Sequence, residues 1–170
     1  MSRKRFDEMN CSIARSLEQV GDWWTLLIVR EAFFGTTAFS EFQEALGIAK
    51  NILTQRLDHL VANGIFERRQ VRPGVERHEY FLTDKGRDLM PVLVALVQWG
   101  DRWLFGEGNE PLRVIDAEQR VQIAPLKVCD AAGREVAPSQ LRFRPGPGAT
   151  ERTLRVFEER RSKRRAASIQ

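Results

Sequence analysis

Apolar residues recur at helical spacing along most of the first hundred positions, and only one short stretch alternates instead. In residues 11–20, Ile13, Leu17 and Val20 share a face, with Asn10 placed to cap the start and Gly21 to end it. Asp22 is placed to cap the next helix, WWTLLIVREAFF. That helix is apolar almost all round, so it is predicted to be central and the most buried. Gly35 closes it, at the position after a helix where a left-handed backbone costs least. Residues 36–38 are expected to add a short strand. Phe39, Phe42 and Leu46 then mark a short helix stopped by Gly47. In the helix that follows, Leu53, Leu57, Leu60 and Val61 lie on one face and are expected to pack on Phe39, Phe42 and the second helix. The opposite face carries Lys50, Asn51, Thr54, Gln55 and Asp58.

Two strands come next, IFERRQV and RHEYFLT, joined around Arg72-Pro73-Gly74. Thr83 caps a helix predicted to run from 84 to about 105, the longest in the chain. Pro91 sits too far inside it for a simple first-turn proline, so a bend is expected near 87–89. Leu93, Leu96, Val97 and Trp103 on this helix offer more apolar surface than one small core needs. Gly106-Glu107-Gly108-Asn109 reads as a boundary. Residues 110–144 hold short, partly alternating apolar runs and are expected to form a small antiparallel β module. Pro145-Gly146-Pro147-Gly148 breaks the chain again, and Thr150 is placed to cap a final basic helix whose end should fray. The expected organisation is therefore 1–105, 106–150 and 151–170.

Two short helices meeting at a turn, followed by a hairpin with a basic tip, are the order of parts in a winged helix-turn-helix. The fold class expected is mainly α with a β-hairpin wing, plus the small C-terminal β module. An exposed helix face of short polar side chains suits the major groove, where lysine can donate to guanine and asparagine or glutamine can pair with adenine. Lys50, Asn51, Thr54 and Gln55 are thus candidate base readers. Arg56, on the flank, is better suited to phosphate, as are Arg72 and Arg77 beside the hairpin turn. An ordinary solvated helix looks the same in isolation, and it is the hairpin downstream that separates the two readings. A solubilising hairpin would instead pair its arginines with Glu67, Glu76 and Glu79.

Charge adds little to that picture until it is located. The chain has 170 residues, 27 basic and 23 acidic, for a net charge of +4. Residues 151–170 hold seven of the basic and three of the acidic ones, so residues 1–150 are balanced at twenty of each sign. Any electrostatic footprint must come from local arrangement or from the tail, where Arg160, Arg161, Lys163, Arg164 and Arg165 cluster. The apolar runs are too short to cross a bilayer, and Arg3-Lys4-Arg5 leads into no apolar segment, so a cytoplasmic chain is expected. Cys11 and Cys129 with His59 and His78 do not make a metal site by spacing, and no cofactor is expected. No Gly-rich phosphate loop and no paired nucleophile and base occur in one motif, which argues against an enzyme.

From residue 11 to residue 103 the sequence resembles the HxlR-type, MarR-like winged-helix transcriptional regulators. The matching pieces are Cys11, Gly21-Asp22-Trp23-Trp24-Thr25-Leu26-Leu27-Ile28, Leu53-Thr54-Gln55-Arg56-Leu57, Asn63-Gly64-Ile65, Tyr80-Phe81-Leu82-Thr83-Asp84-Lys85-Gly86 and Trp99-Gly100. The resemblance implies a homodimer that binds operator DNA; a two-fold dimer in turn calls for a pseudo-palindromic operator in double-stranded DNA, and repression is expected over activation. The resemblance also implies a dimer interface built from the first and last helices of the domain, and a response to electrophiles, oxidants or small ligands. Cys11, in the first turn expected for its helix and four residues before Arg15, is the candidate sensor, with packing at the dimer interface as the alternative. The C-terminal part resembles an extension with a zinc-ribbon-like pattern. Here Val128-Cys129-Asp130-Ala131-Ala132-Gly133 keeps one thiol, with Ala132 where a second would stand, so no metal is expected. Trp23, Trp24, Trp99 and Trp103 would line a ligand cavity or form core and interface. The rival reading from another class is a winged-helix protein-interaction module that does not bind DNA, for which an apolar or acidic recognition face would be the mark.

Overall fold

Asp22 lies in extended backbone and its Oδ1 accepts the Trp24 N–H at 3.1 Å, starting helix α2, Trp23–Phe33. The computed structural model describes residues 6–72 and 77–167. The predicted turn at Pro73-Gly74, Glu76 and the basic start Arg3-Lys4-Arg5 lie outside them. Ahead of α2 stands α1, Ser12–Val20; after it come α3, Phe39–Leu46, and α4, Lys50–Ala62. Gly47 (φ +60°) makes the left-handed turn between α3 and α4, a backbone state that costs an L side chain energy. Strands β1, Phe66–Gln70, and β2, His78–Leu82, pair antiparallel with Phe66 opposite Leu82, Arg68 opposite Tyr80 and Gln70 opposite His78. The expected extra strand is reduced to one bridge, Ala38 to Glu79, with the Tyr80 N–H donating to Thr37 O at 2.9 Å.

The core joins α2, α3, α4 and the hairpin. Ile28, Val29, Phe42, Leu53, Leu57 and Leu60 are fully buried, and Phe42 meets Phe66 edge-on at 6.2 Å. The leucine face of α4 therefore packs as its spacing predicts. Helix α2 departs from expectation: it buries Thr25, Ile28, Val29 and Glu31, while Trp23 is 89% exposed and Phe34 faces solvent. Only its middle is enclosed, because α3, α4 and the hairpin cover one side of it.

Two sequence motifs lock the hairpin to the end of α4. Thr83 Oγ1 donates to Gly64 O at 2.6 Å and accepts the Gly86 N–H, capping α5, Asp84–Arg87. The Thr83 N–H donates to Ile65 O at 3.1 Å, and Lys85 Nζ donates to Asn63 O at 2.7 Å. At Gly86 the backbones come so close that an added Cβ would stand 2.3 Å from Ile65 O.

The expected long helix is broken into α5, α6 (Met90–Gly100) and a π-helical turn, Asp101–Phe105. Pro91 has no N–H to return to the Arg87 carbonyl, which places the break at 88–89 where a bend was expected. The longest helix is instead α7, Glu151–Ala167.

The chain groups into two units, residues 19–126 and residues 6–18 with 127–167. Within the first, Gln98 of α6 holds residues 124–126: its Nε2 donates to Ala124 O at 3.2 Å and its Oε1 accepts the Leu126 N–H at 2.7 Å. Within the second, Asn10 holds residues 148–153. It does not cap α1, as expected; its Nδ2 donates to Gly148 O, and its Oδ1 accepts the Thr150 N–H at 3.1 Å and Thr153 Oγ1 at 2.7 Å. In the β module expected over 110–144 the antiparallel pairing is sparse. The module consists of single antiparallel bridges, Ile115 to Gln122 and Cys129 to Glu135, and a 3-10 turn, Pro138–Gln140. At the turn inside each bridge an aspartate gathers the N–H groups: Asp116 takes those of Glu118 and Gln119, and Asp130 those of Ala132 and Arg134. The Arg134 backbone N–H first, then its side chain, hold the Asp130 carboxyl below the usual carboxylate range.

Candidate nucleic-acid interface

Helix α4 is fastened on one side and open on the other. Leu53, Leu57 and Leu60 are in the core, and Lys50, Asn51, Thr54, Gln55 and Asp58 are exposed. Thr54 Oγ1 donates to Lys50 O at 2.9 Å, so its hydroxyl has lone pairs left to offer outward. Asn51 and Gln55 make no side-chain hydrogen bond to another described residue. Their amides keep both donor and acceptor ends for a base edge. The structure thus brings together all four predicted base readers on one solvent-facing surface.

Arg56 has a different place. Its Nη2 sits 2.9 Å from Asp22 Oδ2, and both side chains are largely covered. Asp22 thereby joins the start of α2 to the middle of α4, which orients the exposed face. Sequence reasoning put Arg56 on the flank of α4 and Asp22 at a cap, but nothing in their spacing tells that the two meet.

The wing divides as strand alternation requires. Arg69 pairs with Glu67 on its own strand and lies 4.7 Å from the centroid of the Phe81 ring. Arg68 stands opposite Tyr80; burial pushes the Tyr80 phenol above its ordinary range, and Arg68 pulls it the other way. Arg72 and Arg77 are exposed where the described strands end, and the Val71 N–H donates to Arg77 O at 3.1 Å. Phe39, Ser40, Arg77, His78 and Tyr80 line a shallow depression between the start of α3 and β2, which the sequence does not announce.

Cys11 and Cys129 are free and exposed. Cys11 lies one residue ahead of α1 rather than inside its first turn. Among the described residues no group of three or more His, Cys, Asp or Glu is placed to hold a metal ion. No described helix is long and apolar enough to cross a membrane. Trp23, Trp99 and Trp103 face solvent.

The profile of the HxlR-like helix-turn-helix family matches residues 19–107, more than half the chain. The chain belongs to this family. It is 41% identical over 137 residues to Rv3095 of Mycobacterium tuberculosis, an uncharacterised HTH-type transcriptional regulator, covering 81% of this chain and 87% of that one. That match is longer than the profile's span and runs past residue 107 into the C-terminal segment. Among solved structures the chain is similar to PA1607, a candidate transcription factor, at a TM-score of 0.77 and 38% identity over 84% of this chain and 100% of that one. It is also similar to PA1374 of Pseudomonas aeruginosa, at 0.62 and 38% over 85% and 99%. The molecule is a transcriptional regulator of the HxlR, MarR-like type with a winged helix-turn-helix fold, and nothing in these matches indicates catalysis.

Proposed function

We propose that this HxlR-type regulator binds a pseudo-palindromic operator as a homodimer and represses by occluding a promoter. The observation that carries the reading is the uncommitted polar face of α4, rigidly backed by three fully buried leucines. Lys50, Asn51, Thr54 and Gln55 read base edges in the major groove, and Arg72 and Arg77 contact the backbone beside it. Arg56 we assign to positioning α4 through Asp22 rather than to phosphate.

The second subunit is another copy of this chain. On α6 and the π turn, Leu96, Trp99, Trp103 and Leu104 are exposed, the last two to 64% and 69%. On α1, Ile13 and Leu17 are exposed as well. Large apolar side chains left in solvent on each of these helices are of the kind that marks an interface. A two-fold dimer places two α4 helices in successive major grooves, about 34 Å apart. An effector is received through Cys11, which is open to electrophiles ahead of α1.

Footprinting the purified protein on the DNA upstream of its own gene tests this. Two protected patches one helical turn apart are expected. Failure to protect any sequence over bulk DNA would support the protein-interaction reading instead.

A further inference from the structure

We infer that α7 is a second DNA-binding element, a preformed polycation that supplies the sequence-independent part of the affinity through phosphate contacts; this rests on the DNA-binding reading above. The first observation is where the charge lies. Residues 1–150 are balanced, and the whole net charge of +4 comes from residues 151–170. A balanced body draws DNA only through local arrangement, whereas non-specific binding comes from cations that release counterions from phosphate.

The second observation is the state of those cations. Arg152, Arg155, Arg160, Arg161 and Lys163 are exposed, and none forms an ion pair with another described residue. Several basic side chains elsewhere are held instead: Arg56, Arg69, Arg87, Lys127 and Arg134 each have a carboxylate partner. The density also fits. Positions 160–165 carry five basic residues over about 7.5 Å of helix axis. Duplex DNA presents roughly four phosphate charges in that length.

The third observation is that α7 is built before any partner arrives. Thr150 caps it, with its carbonyl accepting the Leu154 N–H at 2.9 Å, and Asn10 grips both Thr150 and Thr153. The helix therefore has little ordering entropy left to lose on binding. A lipid surface fits less well, because an interfacial helix needs an apolar stripe. Leu154, Val156 and Phe157 are confined to the first turns of α7 and spread around it.

The test uses the full chain with Arg160→Gln, Arg161→Gln and Lys163→Gln combined, and a second variant with Arg160→Lys and Arg161→Lys. Gln and Lys keep helix propensity, and circular dichroism verifies the fold. Binding to operator and to scrambled duplex is measured from 50 to 200 mM salt. In the Gln variant the salt slope should flatten by up to about 2.7, so that the wild-type advantage shrinks by about 40-fold across the range. Operator and scrambled DNA should suffer alike, and the Lys variant should match wild type. A Gln variant with the wild-type slope overturns the inference and leaves the α4 reading standing. The same holds if only binding to phosphatidylserine vesicles is lost. Absence of wild-type binding to any duplex defeats both.

Discussion

Arg72 and Asn51 are both exposed and neither pairs through its side chain with another described residue, yet their chemistry divides their roles. A guanidinium at the wing meets phosphate, which is the same at every step of the duplex. Arg72→Ala should therefore weaken binding to operator and scrambled DNA by the same factor and lower the salt slope by about 0.9. A loss confined to the operator would make Arg72 a base reader. The two thiols can be separated in the same spirit. Treatment with a quinone should modify Cys11 and reduce operator affinity in the wild type, and Cys11→Ser should keep its affinity. Mass spectrometry finding Cys11 unmodified in the native protein, or Cys11→Ser losing affinity equally, would return it to a packing role.

At the scale of elements, the position of α4 depends on a carboxylate thirty-four residues before Arg56. Asp22 caps α2 and pairs with Arg56, and the two duties can be split. Asp22→Asn keeps the cap and loses the charge, and should cost about 1–2 kcal/mol in denaturant unfolding. Asp22→Ala loses the cap as well, worth about 1 kcal/mol more. Equal stability of the two variants would show that the cap contributes nothing, and wild-type stability in both would remove the ion pair from the argument. This pair also shows what was legible in the chain beforehand. The cap at Asp22, the turn at Gly47, the leucine face of α4 and the break near Pro91 rest on local rules, and all four appear. Asn10 obeys the same local rule as Asp22, but residues 148–153 compete for its side chain, and no spacing along the sequence reports such a partner. The apolar runs after residue 110 alternate enough to suggest strands, but the pairing there is limited to single bridges around turns held by Asp116 and Asp130. Of the candidate site, the α4 face was readable because periodicity alone separates core from solvent. The engagement of Arg56 and Arg69 was not, since it depends on neighbours across the fold.

The molecule as a whole exposes apolar side chains that a lone protomer has no use for, Trp99, Trp103 and Leu104 among them. Sedimentation at micromolar concentration should give a dimer, and Trp103→Glu should shift it toward monomer by burying a charge without a partner at the interface. A wild-type monomer would sink the symmetric operator along with the dimer. The central claim, that α4 reads sequence, is tested most directly by the ratio of operator to scrambled-duplex affinity in Asn51→Ala combined with Gln55→Ala. Each residue in bidentate contact contributes about 1–3 kcal/mol of discrimination, so the ratio should fall at least tenfold while scrambled-duplex binding and the fold persist. A double variant that keeps the wild-type ratio would mean that another surface reads the operator.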